Sequence, residues 1–99
     1  MSYPTIITAK NKPNIVIYVY RGLKKKDVQK IVKIACNDKH MARNPNWDEA
    51  YGMARLICAC EEYLNEPETG FGVYSINNII RYYDHYTIDE NWKVHKVKR

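Results

Sequence analysis

The run Ile15-Val16-Ile17-Tyr18-Val19-Tyr20 restricts the fold more than any other segment, because every member is β-branched or aromatic. Such residues favour the pleated strand over the helix, and a strand apolar on both faces reads as a central one. Gly22 breaks the run, and the period then changes. Val28, Ile31, Val32 and Ala35 follow the i, i+3, i+4, i+7 spacing of a buried helical stripe, with Lys26, Lys30 and Lys33 on the opposite side. The spacing predicts a helix from about Lys24 to Met41. Asn46 followed three residues later by Glu49 is a capping-box variant. It predicts a second helix from Trp47 to Leu64, whose middle, 53–60, is apolar nearly all round and belongs at the centre of the core.

Weaker signals complete the layout. Tyr3 to Ala9 reads as a short strand, 10–14 as a polar turn containing Pro13, 66–70 as a loop and 70–74 as a short strand. After Ser75 the spacing of Ile76, Ile79, Ile80 and Tyr83 fits a third helix capped by Ser75. Ile80, Tyr82, Asp84 and Tyr86 also alternate as a strand would, and the spacing favours the helix. Trp92, Val94 and Val97 mark a last strand over 92–98. The expectation is one α+β domain over 1–99. Its short mixed or antiparallel sheet, built on 15–20 and 92–98, is packed by two to three helices.

Composition narrows the function classes. No run nears the roughly 18 apolar residues of a membrane span, and Ile6 to Ala9 is too short for the core of a signal peptide. Three cysteines, an odd count, do not make a secreted disulfide framework. The expected location is the cytoplasm. Lys, Asn, Ile and Tyr supply 40 of the 99 residues, a bias toward AT-rich codons. It points to a bacterial, phage or archaeal-virus source, and so to a host cytoplasm if the protein is viral.

Charge is segregated along the chain. Residues 1–43 carry ten Lys/Arg against two Asp, residues 44–90 two Arg against nine acids, and residues 91–99 four Lys/Arg. If the two basic ends meet, one pole is cationic and the other acidic. Such a dipole suits an anionic partner or self-association, including a homodimer.

Three features are candidates for binding. Arg21, Lys24, Lys25 and Lys26 flank a glycine break and open a helix that continues through Lys30 and Lys33. Cations there oppose the helix dipole, so an anion would be welcome. In the C-terminal segment, which also carries Lys96 and Lys98, an outward row of Lys93, His95 and Arg99 fits a strand tracking phosphates or an edge strand guarded by lysines. Tyrosines 18, 20, 74, 82, 83 and 86 are dense enough to form a stacking surface or a protein hot spot. Cys36 and His40, i and i+4, could meet Cys58 or Cys60 at a metal. Cys-x-Cys in a helix points its thiols apart, however, and no metal or cofactor is assigned. No Ser-His-Asp order or Gly-x-Ser-x-Gly is present, so the chain is read as non-enzymatic.

Short segments resemble the RNA-recognition motif, a βαββαβ fold. Residues 17–23 are similar to its first-strand signature, 70–76 to its third, and 86–94 to the approach to its last strand. By that resemblance Tyr18 and Phe71 would stack on bases. The chain departs from the pattern at Thr69, where the family has a basic residue, and at Val73, where it has an aromatic. It also has two signalled helices between the signatures, so it is not placed in the family.

The leading expectation is a small basic protein that binds nucleic acid, RNA or single strands, through Arg21, Lys24, Lys25, Lys26, Lys30, Lys33, Lys93, His95, Lys96 and Lys98. Aromatic contacts are expected from Tyr18, Phe71, Tyr82 and Tyr86. The alternative is a phage- or virus-type interaction module that binds and inhibits a host protein. It would use the tyrosines or an acidic pole of Glu61, Glu62, Glu66 and Glu68.

Overall fold

A computed structural model describes residues 4–42, 46–66, 69–78, 81–82 and 84–98. Strands β1 (Thr5–Ala9) and β2 (Ile15–Val19) form a hairpin and are followed by helices α1 (Lys25–Cys36) and α2 (Glu49–Tyr63). Strands β3 (Phe71–Ser75), β4 (Asp84–Ile88) and β5 (Val94–Lys96) complete the chain, with short 3-10 turns at Lys39–Ala42 and Ile76–Asn78. The five strands lie in the order β3-β2-β1-β4-β5. β1 pairs parallel with β4, and the other pairings are antiparallel. The fold is α+β with a mixed sheet.

Both helices pack on one face of the sheet. Ile7, Ile17, Val19, Tyr86, Ile88 and Val94 meet Val28, Ile31, Val32 and Ala35 of α1 and Met53, Leu56, Ala59 and Cys60 of α2. α2 therefore buries one side only and leaves Cys58 exposed. It does not sit at the centre of the core, despite its apolar middle.

The opposite face is also closed. Ile6, Thr8 and Val16 are buried there, and Arg81 and Tyr82 contact residues of that face. The Tyr18 hydroxyl donates to the Arg81 carbonyl at 2.6 Å, and the Tyr82 ring lies 5.6 Å from that of His85. His85 Nε2 shares a hydrogen bond with Thr8 Oγ1 at 2.8 Å.

Several boundaries differ from the sequence reading. The centre of the sheet is β1, buried at all five positions, with β2 beside it; β2 and β5 are not neighbours. The helix favoured after Ser75 is absent from the described residues: a single 3-10 turn is followed by β4 at Asp84. Alternation prevails because Tyr86 and Ile88 face the helices while His85 and Thr87 face the other side. Ile79, Ile80 and Tyr83, which carried the helical spacing, lie outside the described residues, as do Tyr3, Glu68 and Arg99. Asp48, not Asn46, caps α2 by accepting from the Ala50 N–H at 3.0 Å. Glu49 instead reaches the hairpin and takes the N–H groups of Asn14 and Ile15 at 2.6 and 3.2 Å.

The entry into α1 is held by a buried polar knot. Thr5 Oγ1 accepts from the Leu23 N–H at 2.9 Å and donates to the Arg21 carbonyl at 3.0 Å. The Tyr86 hydroxyl donates to the Leu23 carbonyl at 3.0 Å. Tyr86 is 2 % exposed, so it is a core residue and not the accessible stacking aromatic expected from sequence. Replacing Tyr86 by Phe leaves the Leu23 carbonyl without this partner. Tyr86→Phe is expected to lower the free energy of unfolding by about 1–3 kcal/mol, measured by urea titration with an unchanged m-value.

Candidate anion-binding surface

The two basic segments meet. α1 packs along β5, and an open groove of about 400 Å³ runs between them. Its walls are Lys25, Gln29 and Val32 of α1 and Trp92, Lys93 and His95 at β5. Lys26, Lys30 and Lys33, at i, i+4 and i+7, form an exposed ridge above it. The Trp92 indole stands edge-on to Trp47 at 4.8 Å. That position comes from the β4–β5 turn, in which Trp92 adopts a left-handed backbone with φ of 62°. Trp47 in turn needs Gly52, because a Cβ there would approach its ring to 2.4 Å.

Asp27, Asp38 and Asp89 are engaged elsewhere, mostly with the backbone. Asp27 accepts from the Lys24 N–H at 2.9 Å and from the Tyr63 hydroxyl at 2.8 Å. Asp89 accepts from the N–H groups of Asn91 and Lys93 and from His95 Nε2. Asp38 accepts from the His40 N–H at 2.8 Å and pairs with Arg55 at 3.2 Å. Burial opposes the charge of Asp27, Glu49 and Asp89, but the donated hydrogen bonds outweigh it and hold all three below the ordinary carboxylate range. The His40 amide and ring lower Asp38 to about 2.

The expected cations therefore divide. Arg21 turns to Glu66 at 3.6 Å, His95 to Asp89 at 2.7 Å and Lys96 to Asp84 at 3.4 Å. Lys24, Lys25, Lys26, Lys30, Lys33, Lys93 and Lys98 are exposed and have no ion-pair partner among the described residues. With Asp27 on the Lys24 N–H, the start of α1 already holds a carboxylate. The open cationic place is the groove and ridge, not the helix end. Burial lowers the pKa of His85, which stays neutral near pH 7 and adds nothing to this charge.

The aromatic candidates do not share a surface. Tyr18 pairs with Gly72 and Val19 with Phe71. This parity puts Tyr18 on the face away from the helices and Phe71 on the helix face, packed against the core. A two-aromatic stacking platform of the RNA-recognition type is thus ruled out by register. Tyr18 gathers Tyr20 and Tyr74 instead, at ring distances of 5.0 and 5.5 Å, and the hydroxyls of Tyr20 and Tyr74 share a hydrogen bond. That bond raises the pKa of Tyr20. The sequence signal for this cluster was Gly70 and Gly72 alternating with Tyr74, since strand glycines leave room for neighbouring rings.

Among the described residues no group of three His, Cys, Asp or Glu is placed to hold a metal. Cys60 is buried, which pushes its thiol up to about 12, while Cys36 and Cys58 are exposed. His40 is bound to Asp38 and Arg55. No helix among the described residues is long and apolar enough to cross a membrane. No protein-family model matches this chain, and neither does any of the curated proteins or solved structures compared with it.

The engaged carboxylates imply an acid-side loss of stability. Groups with depressed folded pKa values contribute in full above their unfolded values, 3.8 for Asp and 4.5 for Glu, and lose that contribution as pH falls through the folded ones. The urea midpoint is expected to start falling below about pH 6.5, where His85 takes up a proton more readily unfolded than folded, and to fall further below about pH 4 as the carboxylates protonate. Glu49→Gln should lower stability at neutral pH by about 1 kcal/mol, a figure discounted for partial exposure, and shrink the acid-side loss. An unaltered acid limb in this variant would mean that Glu49 does not clamp the hairpin.

Proposed function

We propose that the protein binds nucleic acid non-enzymatically, gripping the phosphate backbone of RNA or a single strand on the α1–β5 surface. The observation that carries this reading is the set of lysines on α1 and at β5 without an ion-pair partner among the described residues, flanking one groove while Asp27 and Asp89 accept backbone N–H groups and Asp84 pairs with Lys96. The groove is open and shallow, with an aliphatic floor at Val32 and an indole at Trp92. It suits an extended polyanion better than an enclosed small molecule. Lysines act there as point charges, which favours the backbone over base identity.

A second reading, a protein partner such as a host enzyme, rests on Tyr18, Tyr20 and Tyr74. Tyr20 and Tyr74 are exposed at 43 % and 38 %, and tyrosine clusters are frequent hot spots. Salt separates the two, because phosphate binding weakens steeply with ionic strength and an aromatic interface does not.

The test is fluorescence anisotropy with labelled single-stranded RNA, single-stranded DNA and duplex DNA over a salt series. Lys25/Lys26/Lys30→Ala is expected to weaken binding more than about tenfold and to flatten the log–log salt slope by roughly one for each phosphate no longer neutralised. Lys10/Lys12→Ala, in the β1–β2 turn, removes charge at residues that do not line the groove and should change affinity less. Equal losses in both variants would reduce the effect to net charge. No binding of any probe at low salt would leave the tyrosine surface as the site to pursue.

A further inference from the structure

The two edges of the sheet are unlike. β5 is guarded by Lys93, Lys96 and Lys98, whereas residues 69–78, which contain all of β3, include no charged residue and no proline. An uncharged, proline-free edge strand is a template for strand addition. β3 also exposes its side chains: Val73 is 50 % exposed, the highest value among the exposed large hydrophobic residues.

The hydrogen-bond pattern shows which backbone groups are open. The Tyr20 N–H donates to the Gly70 carbonyl at 3.0 Å, and the Ile76 N–H to the Asn14 carbonyl at 2.9 Å. In an antiparallel pair alternate residues turn both groups to the same neighbour. Gly70, Gly72, Tyr74 and Ile76 therefore face β2, and Phe71, Val73 and Ser75 present their N–H and C=O groups outward. No described residue bonds to those outward groups.

The geometry points to a second copy of this chain as the occupant of that edge, with β3 paired antiparallel to β3 about a two-fold axis at Val73. A two-fold axis normal to the sheet keeps each side chain on its own face, so only residues of equal parity can oppose. Of the permitted registers, only the one centred on Val73 satisfies every outward group: Val73 exchanges both bonds with its copy, and Phe71 exchanges both with Ser75. A register centred on Gly72 or Tyr74 leaves Ser75 or Phe71 unpaired. In the Val73 register the half-exposed valines cover each other, and each Tyr74 lies opposite a glycine, Gly72, as Tyr18 already does within the chain.

Charge agrees with this arrangement. The Gly70 end of β3 borders exposed Glu61 and Glu66, the latter shared with Arg21, and the Ser75 end lies beside the β1–β2 turn, where exposed Lys10 and Lys12 outnumber Glu49. Antiparallel self-pairing sets each acidic end toward the partner's lysine turn. The result is a continuous ten-stranded sheet with both helix layers on one face. Its two β5 edges lie about 43 Å apart, nine strand spacings, so self-pairing leaves both α1–β5 grooves open.

Sedimentation equilibrium of the wild-type chain is expected to give twice 11.7 kDa at high concentration. Val73→Lys and Val73→Glu should each sediment as monomers with unchanged circular dichroism, and their equimolar mixture should dimerise, because the two charges meet at the axis. Val97→Lys, on the opposite edge, should leave the dimer intact. Hydrogen exchange gives a readout free of substitutions: dilution should speed exchange at Phe71, Val73 and Ser75 and leave Gly72 and Tyr74 unchanged. A wild-type chain monomeric at near-millimolar concentration, a dimer that survives Val73→Lys, a mixture that stays monomeric, or exchange without the alternate pattern would each overturn the proposal.

Discussion

The parallel pairing of β1 with β4 is the constraint from which the rest of the architecture follows. Parallel neighbours cannot be joined by a tight turn, so the chain must come back across the sheet before β4 begins. Both helices lie on one face, and Arg81 and Tyr82 of the return from β3 contact the other, where Ile6, Thr8 and Val16 are buried. Both faces of the five-stranded sheet thus bury residues, with two α-helices among the described residues. The same pairing sets β3 and β5 at the two edges. The groove proposed for polyanions and the edge proposed for self-pairing lie at opposite ends of that strand order.

This economy explains the placement of the acids. Each turn that steers the chain leaves backbone N–H groups without a ladder partner, and those groups are expensive to leave unsatisfied when partly buried. Asp27 at the entry to α1, Asp48 at the entry to α2, Glu49 on the hairpin and Asp89 in the β4–β5 turn each take one or more of them. A carboxylate in such a position does two jobs, since it closes a turn and loses its availability to a nearby lysine. The cationic surface is therefore a consequence of the fold as much as of composition. The net charge of +5 understates it.

How much of this the sequence shows depends on the range of the interaction. The Ile15–Tyr20 strand and the Val28-Ile31-Val32-Ala35 stripe were readable because their partners lie within one period of the chain. The lysine clusters were readable for the same reason. β4 was not: Ile76 begins an apparent helical spacing, and the alternation of His85, Tyr86, Thr87 and Ile88 makes sense only when both faces are known to be covered. Tyr18 and Phe71 look equivalent in sequence, and only the Val19–Phe71 register separates their faces. Nor can sequence tell that Arg21, His95 and Lys96 are paired, since their carboxylates come from Glu66, Asp89 and Asp84 on other elements.

The asymmetry of the edges separates a selected surface from a leftover one. An exposed edge is a hazard in any small sheet, and charge is the common way to blunt it. β5 is blunted by lysines. β3, with Gly70, Gly72 and Val73 exposed or half-buried and no charge for ten residues, is not. Random drift would not readily keep one edge heavily charged and the other empty of charge within a chain where 27 % of residues are charged. Such a contrast fits a molecule in which one edge repels strands while remaining attractive to polyanions, and the other accepts a strand. Gly70 and Gly72 fit the same logic. They weaken β3 as a strand on its own, but they leave room for the rings of Tyr20 and Tyr74, which lie 3.6 and 3.2 Å from where a Cβ would stand at Gly70 and Gly72.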